Sequence, residues 1–202
     1  MRYMTLSLAL LVFICSSAFT GRKDLVITSA EFTNNGSIPV KYTCLGQQAS
    51  PPLNIDNIPP ETKSLALIVD DPDYQQAKTI TTETKATTSK SHKKHKSAKT
   101  SVKKTVLVTC GYTNWLMWNI DTTNFIPENF RNDNEGLNSL GNTGYLGVCP
   151  PSGTHHYHFR VYALDTKLNV SKNITKTGLD SIMQGHILAK GELIGIYNKT
   201  YK

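Results

Sequence analysis

Residues 147–164 read G-V-C-P-P-S-G-T-H-H-Y-H-F-R-V-Y-A-L, and this stretch constrains the fold more tightly than any other. Cys149, Pro150, Pro151, Ser152 and Gly153 form a stiff, turn-rich opening that cannot continue a strand ladder. Strict alternation follows. His155, Tyr157, Phe159, Val161 and Ala163 share one face of a period-2 strand, while His156, His158, Arg160 and Tyr162 share the other. The first face is apolar except at its loop end, where an imidazole and a phenol stand together. Buried polar groups cost free energy unless they are paired. Two arrangements would pair these: bonds to the main chain, or a small pocket at the strand mouth.

The rest of the chain reads mainly as β structure. Short strands are expected at 25–28 and 39–44, with a turn at Asn34-Asn35-Gly36. Residues 64–69 form a continuous apolar run, which predicts a strand buried on both faces. It delivers Asp70, Asp71 and Asp73 to its C-terminal end, where acidic residues ordinarily serve as solvated turn formers. Further strands are expected at 106–108, 115–120 and 192–197, with a long polar loop at 129–144. Leu179, Ile182 and Met183 at i, i+3 and i+4 predict a helix over 175–185, with all three on its core face. These elements predict an antiparallel β-sandwich with short peripheral helices, built as one domain over 19–202.

Residues 1–18 read as a signal peptide, with Arg2, an apolar run at 6–14 and the small residues Ser16, Ser17 and Ala18. That run is too short to span a bilayer. A secreted or periplasmic protein is expected, in a compartment where disulfides persist. Cys44, Cys110 and Cys149 then permit one bridge and one leftover thiol, and no C-x-x-C spacing supports zinc.

Residues 75–104 differ in kind. They hold nine Lys against one Glu, a charge of +8 within a chain of net +7, so the remainder is near neutral. With few apolar residues and no aromatic residue, this insertion is expected to be disordered. The missing aromatics argue against nucleic-acid binding, leaving weak contact with anionic surfaces as its expected partner. Elsewhere, no G-x-S-x-G elbow marks a hydrolase. His156 and His158 share a face at a spacing that can bind a metal, although two imidazoles without a third ligand are commonly a solvated face.

Several motifs occur in a telling order: K-Y-T-C-L-G at 41–46, S-P-P-L at 50–53, V-D-D-P-D at 69–73 and W-N-I at 118–120. P-P-S-G-T-H-H-Y at 150–157, Y-A-L-D at 162–165 and G-H-I-L-A-K-G-E-L-I-G-I-Y at 185–197 complete the set. In this order the chain resembles the phosphatidylethanolamine-binding protein family, also called Raf kinase inhibitor protein-like, and its bacterial branch in particular. The resemblance implies a non-enzymatic binding protein without a cofactor. Its expected ligand is a phosphate or phosphorylated head group, and some relatives act as inhibitors of another protein. It implies a pocket built from Asp71, Asp73, Asn114, Pro150, Pro151, Gly153, His155 and Tyr157, with Asp71 orienting an imidazole. Because Cys44 and Cys149 lie in the family-like segments, it implies their pairing, leaving Cys110 at the edge of the insertion. The chain departs from the family's pattern at two positions: Asn114 replaces a usual His, and His156 a usual Arg. Both changes remove positive charge near the pocket and imply a lower anion affinity. A hydrolase or metal-binding protein using His155, His156 and His158 is the alternative reading.

Overall fold

A computed structural model describes residues 23–84, 100–109 and 111–199. The expected signal peptide at 1–18, the centre of the insertion at 85–99 and Cys110 lie outside the described residues. The strands are β1 (Val26–Thr28), β2 (Gly36–Ser37), β3 (Leu53–Asp56), β4 (Ser64–Asp71) and β5 (Gln75–Thr84). After them come β6 (Thr100–Thr109), β7 (Tyr112–Ile120), β8 (Phe125–Ile126), β9 (Gly153–Leu164) and β10 (Ile187–Lys199), with one helix, α1 (Lys176–Met183), before β10. The described helix is too short to cross a membrane.

The larger sheet runs β2-β10-β9-β4-β7, and a smaller one runs β1-β3-β8. Every pairing within these sheets is antiparallel except β2 with β10, which is parallel. The main core is a single cluster of side chains from both sheets. It joins Leu65, Leu67, Val69, Trp115, Phe159 and Val161 of the larger sheet to Ile27, Leu53, Ile55 and Ile126 of the smaller. The opposite face of the larger sheet is also covered. There Ala66, Ile68, Leu116 and Trp118 pack with Leu179 and Met183 of α1. Strand β4 is buried at all eight positions: residues 64–69, as the apolar run predicted, and Asp70 and Asp71 beyond it. Strand β9 buries His155, Tyr157, Phe159, Val161 and Ala163 and leaves His156, His158, Arg160 and Tyr162 half-buried.

Three expectations need correction. Residues 39–44 do not form a strand, because Val40–Tyr42 is a 3-10 turn in which Tyr42 N–H donates to Pro39 O and Thr43 N–H to Val40 O. Gly46 permits the tight approach, since a Cβ there would lie 2.0 Å from Val40 O. Within α1, Leu179 and Met183 face the sheet, but Ile182 is 41% exposed. A helix of two turns against a flat sheet buries only a narrow stripe. The third correction concerns the ends of the insertion, which are ordered: β5 and β6 pair antiparallel from Gln75 opposite Thr109 to Thr84 opposite Thr100. Composition measured only the capacity to bury apolar surface. A ladder also draws on main-chain hydrogen bonds and on the β-preference of Thr, Ile and Val, which fill these strands.

The contrast along α1 is testable. Met183→Ala should cost about 2–5 kcal/mol of stability, the usual range for truncating a buried Met. Ile182→Ala should stay within about 0.5 kcal/mol in urea denaturation, as exposed substitutions do.

Candidate functional site

The neighbouring strands β4 and β9 bring the Asp-rich strand end to the His-rich strand start. Asp71, 2% exposed, accepts from two directions. Its Oδ2 lies 2.7 Å from His155 Nδ1, and its Oδ1 accepts the Asp73 N–H at 2.9 Å, closing a turn around Pro72. Asp73 repeats the pattern one step outward. Its Oδ2 accepts the His156 main-chain N–H at 2.9 Å and contacts His156 Nδ1 at 2.7 Å. Adjacent imidazoles are thus each held by one of two carboxylates that flank a proline.

Burial is the largest influence on Asp71 and pushes its carboxyl up, against the opposing bond from His155. Burial and the neighbouring Asp71 carboxylate likewise hold the Tyr157 phenol well above its ordinary range, with the Cys149 backbone N–H pulling the other way. Tyr157 therefore stays protonated and can donate to Asp71. At Asp73 burial opposes ionisation, but the bonds from His156 outweigh it and hold the carboxyl below its usual value. The sign of the linked stability follows. A lowered folded value contributes stability that is present above the unfolded value of about 4 and is lost as pH falls through the lowered one. Wild type should exceed Asp73→Asn in urea midpoint near pH 6, with the gap closing below about pH 4.

His155 lines a cavity of about 510 Å³, with Pro72, Asp73 and Gln75 on one side and Pro151, Ser152 and Thr154 on the other. Since Asp71 occupies Nδ1, Nε2 is the ring nitrogen left for a ligand. Among the expected site residues, Asp71, Asp73, Pro151, His155 and Tyr157 are brought together, Tyr157 lying 1% exposed behind the cavity. Gly153 starts β9 at φ +74°, a conformation that favours glycine. Pro150 is buried behind the rim, and Asn114 is buried on β7, donating from Nδ2 to Leu146 O at 2.9 Å. Neither lines the cavity. Gln75 and Thr154 were not anticipated: Gln75 was counted with the insertion, and a lone Thr carries no signal. A cavity of about 560 Å³ between Asn119 and Asp133 contains none of the anticipated residues.

Cys44 and Cys149 form the expected disulfide, with Cα atoms 5.4 Å apart. On the outer face of the larger sheet, Glu192 receives His158 Nδ1 at 2.6 Å and Arg160 Nε at 2.7 Å. Arg160 also bonds Asp70, and Lys176 of α1 lies 3.9 Å from Asp70. The two outward histidines are therefore each engaged by a separate carboxylate. Among the described residues no group of three or more His, Cys, Asp or Glu is arranged to hold a metal.

A family model described as phosphatidylethanolamine-binding protein matches residues 28–198. The chain is 35% identical to a UPF0098 protein of Pyrococcus abyssi over 98% of its own length and 99% of the relative's. It is 34% identical to a UPF0098 protein of Chlamydia trachomatis over 86% and 98% of the two chains. The crystal structure of a phosphatidylethanolamine-binding protein homologue from Chlamydia trachomatis superimposes with a TM-score of 0.68 at 32% identity, covering 88% of this chain and 99% of that one. YbcL of E. coli shares the fold, with a TM-score of 0.66 at 24% identity over 88% and 100% of the two chains.

Proposed function

Since this chain belongs to the phosphatidylethanolamine-binding protein family, we propose that it is an exported binding protein whose cavity at His155 holds a phosphate or phosphorylated head group without turning it over. One observation carries the reading. A buried carboxylate pins His155 through Nδ1, so the imidazole is oriented and can present Nε2 to an anionic oxygen. The hydroxyls of Ser152 and Thr154 line the same cavity and can supply neutral donors. Pro72 and Pro151 shape the walls without offering N–H groups. Asp73 adds a negative charge at the rim, which disfavours a bare dianion and suits a head group carrying an ammonium beside its phosphate.

Among the described residues no base is bonded to Ser152, so no observation favours the hydrolase alternative. The metal alternative gains no support, because among the described residues no group of three or more His, Cys, Asp or Glu is arranged to hold a metal.

Calorimetric titration with phosphoethanolamine and inorganic phosphate tests the proposal. Loss of a hydrogen bond to a charged group is worth about 1.5–3 kcal/mol, so His155→Ala should weaken binding about 10- to 100-fold. Equal affinities for wild type and variant would refute the cavity.

A further inference from the structure

A second cavity, of about 270 Å³, adjoins the one at His155, and Pro72 lines both. Successive residues of a strand face opposite ways, so the strand end that sends Asp71 to His155 sends Asp70 into this second cavity. The Asp70 side chain is only 9% exposed. Its Oδ1 accepts from the Arg160 guanidinium. Its Oδ2 lies 3.9 Å from the Lys176 ammonium, beyond hydrogen-bond reach, while that ammonium donates to Asp180 Oδ2 at 2.8 Å. Burial is the largest influence on the Asp70 carboxyl and raises it, with Arg160, Lys176 and His158 pulling the other way. A further donor at Oδ2 would therefore stabilise the carboxylate. Another wall is the start of α1, where Lys176 and Thr177 line the cavity. Thr175 makes no side-chain cap bond there, and the first turn holds no acidic residue. The N–H groups of a first turn have no partner within their helix, and with the helix dipole they favour an anion.

We propose that this second cavity binds a small zwitterionic amino acid, its ammonium on Asp70 Oδ2 and its carboxylate at the start of α1 beside Lys176. The two walls carry opposite preferences. A bare anion would meet the buried Asp70 carboxylate, and a bare cation would meet Lys176 and the positive end of the helix. A ligand with both charges satisfies both walls. The hydroxyls of Thr113 and Thr177 line the same cavity and can accept from the ammonium or donate to the carboxylate. This site goes beyond the phosphate reading and does not depend on it, because His155 lines the other cavity.

The test titrates the full chain with glycine and β-alanine, followed through the NMR shifts of the Thr177 and Gly178 amides, with ethylamine and acetate as probes of one charge each. The better-fitting amino acid should bind about fivefold or more tightly than either single-charge probe. Ethylamine binding as tightly would overturn the contact at α1, and acetate binding as tightly would overturn the contact at Asp70. Amides that move with neither amino acid would overturn the site. Asp70→Asn should weaken the better amino acid about 10- to 100-fold, as loss of a charged hydrogen-bond partner does. Lys176→Met should weaken it about two- to fivefold, as loss of a half-exposed ion pair does. His155→Ala should leave it unchanged. Equal affinity for wild type and Asp70→Asn, or an equal loss in His155→Ala, would overturn the proposal. If Asp70→Asn does not fold, the ranking of the four probes on the unaltered chain still upholds or overturns it.

Discussion

Asp71→Ala is expected to cost about 3–5 kcal/mol of stability, because several donors lose one shared acceptor at about 1–3 kcal/mol each, and to abolish phosphate binding at His155. The carboxylate serves three groups at once. Its removal leaves His155 Nδ1 without its partner, strips the Asp73 N–H of its acceptor and deprives the Tyr157 hydroxyl of the carboxylate it faces. Buried donors without acceptors pay their full desolvation cost, which is why the effect exceeds that of one hydrogen bond. Asp71→Asn should lose less, because the amide keeps the volume and one acceptor oxygen. Urea denaturation with a phosphate titration on each variant separates the two effects. A loss below about 1 kcal/mol for Asp71→Ala would mean that water replaces the carboxylate at this site.

Joint replacement of Cys44 and Cys149 by Ser should remove about 2–5 kcal/mol, acting chiefly through the unfolded chain. The bridge joins residues 105 apart, and chain-entropy reasoning assigns about 4.7 kcal/mol to a loop of about 100 residues. The folded side of the balance changes little, since Tyr42, Cys44 and Val148 keep their main-chain bonds. The denatured ensemble should therefore expand, raising the urea m-value as the midpoint falls. An unchanged midpoint and slope would show that the bridge constrains neither state.

The strands that carry the site were legible for local reasons. The burial of residues 64–69 follows from an apolar run that no solvated strand tolerates, and the burial of β9 from His155 to Ala163 follows from period-2 alternation. The same locality misled at 39–44, where alternate apolar residues suit a strand but the chain makes a 3-10 turn at Val40–Tyr42 that packs closely against Gly46. It misled again at the described ends of the insertion, because net charge and burial capacity say nothing about a ladder whose paired residues lie 16 to 34 positions apart.

What the sequence by itself determined is which groups are available and on which face of their own strand: His155 and Tyr157 inward, His156 and His158 outward, and two carboxylates at the end of a buried run. The tertiary structure decided the partners. That Asp71 holds His155, 84 positions away, that Asp73 holds His156, and that Gln75 rather than Asn114 lines the cavity all depend on β4 lying beside β9. Side-chain alternation is a property of one strand's backbone and can be read along the chain. Strand adjacency is a property of the whole sheet, set by how both apolar faces of β4 are covered, and no local pattern encodes it.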